Sequence, residues 1–240
     1  MSVNLIVYKS NGHKPHIMTV KVYFDLETYR PKKDHAFVEE KIIGTGLLID
    51  LDGSAEDTIQ TYNYGDPLPT SGVWEYMDIV TKEDQEKEGE KKLLSRFFDV
   101  MERLKKDYGV VILIGFNILR FDIPLILQRA SEFKVRELKD MNKFIHDFFV
   151  MDYFQIFLPF NDMKFKGNSL ENAVNIISNV SKKEPPRRVG RGADIPSLYD
   201  SEKYEEIKEH LKSDLLLLRY IDRNFHLLTR VLPRKMSELQ

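Results

Sequence analysis

The stretch Val20-Lys21-Val22-Tyr23-Phe24-Asp25-Leu26-Glu27-Thr28 runs five residues of strand-forming composition into two carboxylates spaced i, i+2. Alternate side chains of a β-strand leave the same face, so Asp25 and Glu27 project together. Two like charges held side by side repel unless a cation lies between them, and a divalent metal with oxygen ligands is the usual remedy. The competing reading is a strand end that frays into solvent, where both acids are merely hydrated.

A third carboxylate is harder to explain as surface. Ile207, Leu211, Leu218, Ile221, Phe225 and Leu228 trace one apolar helical stripe, and Asp214 fills the gap between Leu211 and Leu218. Left unpaired inside a core-facing stripe, it costs several kcal/mol, so it needs a cation, a hydrogen-bond network or an opening to solvent. His210 precedes it by four residues, which places an imidazole on the same side of the helix. By itself His210 also fits a histidine at the edge of a helix face, and Asp122 by itself fits a helix cap.

These residues need elements to hold them. Asn4 to Tyr8 reads as a short strand, with Ser10-Asn11-Gly12 as the turn before the Val20 to Phe24 strand. After a charged loop through Asp34, Lys41 to Leu51 forms a second strand, whose Gly44 and Gly46 mark a bulge or a close backbone approach. A third strand falls near Thr58 to Tyr64 and closes a meander, and Gly65 to Gly72 is loop. Leu93, Leu94, Phe97, Phe98, Met101 and Leu104 recur at helical intervals within Lys82 to Asp107. The wholly apolar Val110 to Ile114 is a strand buried on both faces. Phe116 to Asp122 is a connector, followed by a helix over Ile123 to Phe133 with Pro124 in its first turn. Phe148 to Met151 is a short strand ahead of Asp152. Asn168 and Glu171 form a capping box for a helix through Ile177. Ser181 to Gly192 is a basic loop, and Ser201 to about Leu232 is helical.

Bulk properties narrow the classes. A chain of 240 residues with 42% hydrophobic and 31% charged residues is ordinary globular material with room for a core, read as a single domain. The absence of cysteine excludes disulfides, thiolate catalysis and cysteine-ligated zinc. No apolar run reaches the roughly 18 residues of a membrane span and no signal-peptide layout opens the chain, so the expectation is a soluble, cytoplasmic protein without membrane contact. A net charge of -2 gives no global pull on nucleic acid, which leaves such binding to local basic surface or to metal.

Read together, Phe24 to Thr28, Gly115-Phe116-Asn117-Ile118-Leu119-Arg120-Phe121-Asp122-Ile123-Pro124, and His210-Leu211-Lys212-Ser213-Asp214 resemble the DEDD superfamily of 3'-5' exonucleases. The stretch from Asn117 to Pro124 resembles the proofreading domain of B-family DNA polymerases. Asp152 and Lys166-Gly167-Asn168-Ser169-Leu170 sit where that family has a strand-end Asp and a K-x-x-S-L segment. The resemblance covers about residues 20 to 219 and departs at 210, where proofreading domains usually carry Tyr. No palm or fingers follow, so the chain is similar to a free-standing exonuclease.

The resemblance implies an α/β domain of RNase H-like type, with a mixed five-stranded sheet flanked by helices. It implies 3'-5' cleavage of single-stranded or frayed DNA to nucleoside 5'-monophosphates by two divalent ions about 3.5 to 4 Å apart. Asp25 would bridge both ions, Glu27 and Asp214 would complete one site, and Asp122 would hold the second. Magnesium suits such hard oxygen ligands, and manganese should substitute. His210 would act as general base, since a histidine at its ordinary pKa of ~6.5 accepts a proton near neutrality more readily than a tyrosine at ~10.

Leu26 and Thr28 resemble positions that meet the terminal nucleotide, through an apolar wedge and polar contacts to the 3'-hydroxyl. Asn117 and Phe121 resemble positions that hold the penultimate part of the strand. The cations Lys182, Lys183, Arg187, Arg188 and Arg191 either grip phosphates or decorate a solvated loop. Lys166 approaches the site if its loop folds inward. Trp74, Tyr62 and Tyr64 read as packing. Two alternatives stay open: the same site trimming RNA, and a non-catalytic nucleic-acid-binding module of the same fold.

Overall fold

The computed structural model describes residues 18–30, 39–51, 58–86 and 88–230. The strand and turn expected within residues 4–12 lie outside them. The protein is built on a six-stranded mixed sheet. Its strands are β1 (Met18–Tyr29), β2 (Lys41–Asp50), β3 (Ile59–Thr61), β4 (Val73–Ile79), β5 (Gly109–Gly115) and β6 (Phe149–Asp152), in the order β3-β4-β2-β1-β5-β6. β2 runs antiparallel to both β1 and β4, while β5 and β6 extend the sheet parallel to β1.

The expected count of five strands and the expected meander are corrected by β4. The third antiparallel strand is Val73–Ile79, and the Thr58 to Tyr64 segment contributes a three-residue strand that pairs parallel at its edge. β4 escapes a period-two reading because it carries Glu75 and Asp78, whose charges are met by tertiary partners. Lys212 lies 2.8 Å from Glu75, and Arg96 grips Asp78 with two hydrogen bonds of 2.6 and 2.8 Å. Tyr62 packs its ring against Tyr76, and the Trp74 indole donates to Ser71 O, so both aromatics serve packing and the loop.

The twelve residues of β1 divide between two cores. Val20, Val22, Phe24 and Leu26 pack on one face against α2 (Gly89–Tyr108), with its buried Leu93, Leu94, Phe97, Phe98, Met101 and Leu104. α1 (Lys82–Glu86) precedes α2, and the helix expected from Lys82 breaks at Glu88, whose φ of 64° no α-helix accepts. Glu90 of α2 is buried, accepts the Ile42 amide of β2 at 3.0 Å and pairs with Arg129 of α3 (Asp122–Glu132) at 2.7 Å. One carboxylate thus joins sheet and two helices.

Between β5 and β6 the chain also forms α4 (Leu138–His146), which the sequence reading did not assign. α5 (Tyr153–Phe157) follows β6, and α6 (Leu170–Ser181) is capped by Ser169, whose hydroxyl accepts from the Asn172 amide. The capping role expected of Asn168 is therefore corrected, because its side chain is spent on Phe154 O at 2.8 Å. The basic segment leads into α7 (Ile195–Asp200) and then α8 (Tyr204–Asn224), the helix that covers the other face of β1.

α8 lies antiparallel to β1, with Asp222 over Lys21 and Tyr23 at one end and His210 over Glu27 at the other. Four residues of helix advance ~6 Å and two residues of strand ~6.6 Å, so the two repeats stay in step over several turns. The helix row His210, Asp214, Leu218, Asp222 therefore faces the strand row Glu27, Asp25, Tyr23, Lys21. Asp222 fixes this register by accepting from Lys21 Nζ (2.7 Å), Tyr23 OH (2.8 Å) and Tyr153 OH (2.8 Å). Gly46 of β2, paired with Asp25, lets the helix come close: a Cβ there would stand 2.8 Å from Leu211 Cγ and 2.9 Å from Leu215 Cδ1.

Candidate active site

The upper half of the α8–β1 row is acidic. Asp25 and Glu27 leave the α8-facing side of β1, and His210 Nε2 lies 3.7 Å from Glu27 Oε1 and 3.7 Å from Asp214 Oδ2. Asp122 joins them from the first turn of α3, at the end of the loop that follows β5. Burial drives the Asp25 carboxyl well above the usual carboxylate range, with the charges of Asp122, Glu27 and Asp214 adding to it and the Leu26 amide opposing. Burial raises Glu27 in the same way, reinforced by Asp214 and Asp122 and opposed by Arg188. Asp122 is pushed up to about 7 by burial, helped by Asp152 and Glu40 and opposed by its own and the Leu26 amides. All four acids named from sequence thus feel one another, and the fifth residue, His210, stands between two of them.

Asp122 is aimed by a scaffold the sequence did not reveal. Asp152, at the end of β6, accepts the amides of Asn117 (2.7 Å) and Phe154 (2.9 Å) on Oδ1 and that of Leu119 (3.0 Å) on Oδ2. Asn117 adopts a left-handed φ of 67°, and its carbonyl accepts from Arg120 and Phe121 to close the turn into α3. Asp152 is thereby consumed as a backbone clamp. A strand-end Asp opening a short helix pointed to the Phe154 amide, but not to the Asn117 and Leu119 amides 35 and 33 residues earlier in the chain.

The expected substrate residues are placed unevenly. Leu26 is 7% exposed and packs into the α2-side core, opposite to the carboxylates, so its amide faces the site and its side chain does not. The Thr28 hydroxyl donates to Glu40 Oε1 at 2.7 Å. Asn117 and Phe121 are half-buried on the loop beside Asp122, with Phe121 resting on the core. Lys166 is exposed on the loop before α6.

His210 is 3% exposed, and its Nδ1 lies 2.6 Å from Val189 O, an acceptor that fixes the proton on Nδ1. In the neutral ring Nε2 is then the nitrogen with a lone pair, and it faces Glu27 and Asp214. The basic loop adds one residue whose place the sequence reading left open. Arg188 donates from Nε to Asp214 Oδ1 and from Nη2 to Asp214 Oδ2, both at 2.9 Å.

A divalent cation suits this donor set on two grounds. The site gathers hard carboxylate oxygens whose burial, with their mutual repulsion, raises their proton affinity, and Glu27 Oε1 is buried with no hydrogen-bond partner among the described residues. Among the described residues no three acidic or imidazole side chains form a ready-made metal cage. Both oxygens of Asp214 are turned onto Arg188.

The six-stranded mixed sheet flanked by helices is an α/β fold of RNase H-like type. The chain belongs to the family of DNA polymerase family B exonuclease domains, whose model matches residues 2–170. That stretch ends at the start of α6, so His210 and Asp214 stand outside it and are placed by the α8–β1 register. No curated protein matches the chain. Among solved structures, the family B DNA polymerase of the hyperthermophilic archaeon Pyrobaculum calidifontis is similar at 13% identity and a TM-score of 0.51. The match covers 93% of this chain and 26% of the polymerase, so the chain spans about a quarter of that protein's length and the likeness is one of fold. No helix among the described residues is long and apolar enough to cross a membrane.

Proposed function

We propose that the protein is a metal-dependent 3'-5' exonuclease that removes nucleoside 5'-monophosphates from single-stranded DNA ends. The observation that carries this reading is the convergence of Asp25, Glu27, Asp122 and Asp214, from three separate elements, on one electrostatically linked cluster beside His210. A protein that gained nothing from such a cluster would lose stability by keeping it.

Asp25, Glu27, Asp122 and Asp214 would hold two divalent ions, Mg2+ with Mn2+ able to substitute. When bound, such ions neutralise the attacking and leaving oxygens of a phosphodiester and acidify water. The chain's own residues do the rest. His210 receives the water proton at Nε2, while Val189 O keeps its other nitrogen protonated and the ring oriented. Asp152 holds the loop bearing Asn117, Phe121 and Asp122, and Asn117 Oδ1, a buried atom without a partner among the described residues, offers an acceptor to the penultimate nucleotide. Thr28 offers its hydroxyl oxygen to the terminal sugar, and Leu26 contributes its amide to the placement of the acids.

The test is a gel of 5'-labelled single-stranded DNA incubated with Mg2+, Mn2+ or EDTA, beside Asp25→Ala. A ladder shortening from the 3' end, lost in EDTA and in the variant, supports the reading. Intact DNA under every metal condition overturns the DNA assignment, and the same gel run with RNA then separates an RNA exonuclease from a non-catalytic module.

A further inference from the structure

The basic segment between α6 and α7 exposes Lys182, Lys183 and Arg187 to solvent, yet its backbone is pinned. It is stitched to α8 at three successive levels. The Tyr220 hydroxyl donates to Lys183 O at 2.8 Å, the Val189 amide donates to Ser213 Oγ at 3.1 Å, and His210 Nδ1 meets Val189 O at 2.6 Å. Ser213 in turn donates to His210 O at 2.7 Å, so strap and helix share one network. Gly190 continues the strap at φ 68°, a conformation that side chains rarely adopt, and passes 3.7 Å from His210 Nδ1 measured from where a Cβ would sit.

Between these stitches the strap turns Arg188 inward. Its fork grips both oxygens of Asp214, with 31% of the Arg188 side chain and 9% of the Asp214 side chain exposed. The guanidinium also feels Asp25 and Glu171, and its charge opposes the upward shift of Glu27. One fixed positive charge therefore serves several carboxylates at once, in the place where the reading above seats a divalent ion. It cannot satisfy them all, since Glu27 Oε1 remains unbonded.

We propose that Arg188 is the resident counter-ion of this site, holding Asp214 until a divalent ion displaces it, so that metal loading and release of Arg188 are a single exchange. The inference rests on the metal-dependent reading of the same carboxylates. An ion that takes Asp214 as ligand meets a carboxylate both of whose oxygens already accept from the fork, and a dication beside a guanidinium is repelled at short range. The exchange lowers the apparent metal affinity by whatever the Arg188 pair contributes to the metal-free state. Because the strap remains stitched at Lys183 and Val189, the freed side chain stays at the rim of the site.

The experiment measures metal affinity in the full chain. Mn2+ is titrated calorimetrically into wild type, Arg188→Ala, Arg188→Gln and Asp25→Ala, and each protein is melted in EDTA and in saturating Mn2+. The expected result is Mn2+ binding about ten-fold or more tighter in Arg188→Ala and Arg188→Gln than in wild type. Both variants should melt below wild type in EDTA, with the gap closing in Mn2+. Equal or weaker Mn2+ binding in a folded Arg188 variant, with wild-type binding intact, overturns the exchange and leaves the exonuclease reading standing. Absence of Mn2+ binding in every protein overturns both. Arg188→Gln, which keeps the length and hydrogen-bonding of the side chain without its charge, preserves the test if the alanine variant does not fold.

Discussion

Asp122 carries a proton in the metal-free protein at pH values where an ordinary aspartate has lost it. Burial pushes its carboxyl from 3.8 up to about 7, and Asp25 and Glu27 are shifted the same way. Between those values the folded chain binds more protons than the unfolded chain, so metal-free stability falls as pH rises. In EDTA the melting temperature should be higher at pH 5.5 than at pH 8, and saturating Mg2+ should remove or reverse that order. Asp122→Asn should raise metal-free stability at pH 8 by about 1–4 kcal/mol while abolishing cleavage, as measured by urea melts and the gel assay. A metal-free protein that melts higher at pH 8 would contradict the shared repulsion. His210 makes a separate prediction. His210→Gln should lose about 10²–10⁴ in kcat, with Mn2+ affinity little changed, because its Nε2 is assigned to the proton and not to the metal. Equal loss of metal affinity would place His210 among the ligands. At this scale Asp214 was legible because a carboxylate inside an apolar stripe has few explanations, whereas Asp25, Glu27 and Asp122 each had a plain alternative and were singled out by the motifs read together. Arg188 was not, since a cation in a Pro-, Gly- and Arg-rich loop looks the same in sequence whether it faces solvent or an aspartate.

The element that matters most is α8, because two of the site's side chains ride on it and its register on β1 decides what they face. That register depends on Gly46, where any side chain would collide with Leu211 and Leu215. Gly46→Ala should cost about 1–3 kcal/mol as an overpacked contact. Its larger effect should be on cleavage, which we expect to fall about 100-fold as α8 moves off Asp25, since a displacement near 1 Å is enough for that. Urea melts and kcat measured on the same preparation check it, and an alanine variant of full activity would show that α8 has slack. Gly46 was readable as a close approach because a glycine within an apolar strand run has few other uses. β4, α4 and α7 were not readable. β4 hides behind Glu75 and Asp78, whose partners Lys212 and Arg96 come from distant helices. α4 buries just Met141 and Phe144, and α7 is a six-residue helix, too short for a periodic pattern to emerge.

For the whole molecule the RNase H-like fold class came from the motif resemblance, with the alternation of strand, helix and strand in agreement, and the two cores on either side of β1 account for the unbroken apolar run Val22-Tyr23-Phe24 before Asp25. The charge balance sets the remaining expectation. On the proposed reading, a chain of net charge -2 that presents an acidic cluster to an anionic strand draws its affinity from metal and from local cations. Lys182, Lys183 and Arg187 are exposed on the strap, whose backbone is anchored beside the site through Lys183 O and Val189 O. If these three neutralise phosphates, single-strand affinity should fall with salt at a slope of about -2 in log K against log [salt], at ~0.7 per contact. The slope should flatten when all three are changed to alanine. The measurement is fluorescence anisotropy of a labelled oligonucleotide with Asp25→Ala, which prevents cleavage, across a salt series at fixed Mn2+. Arg188 is left intact in both proteins, so any exchange with the metal is common to them and drops out of the difference in slope. A slope unchanged by the triple substitution would assign the strap to the ordering of α8 alone and send the path of the strand to the other rim, where Arg120 lies 4.1 Å over the exposed ring of Phe165.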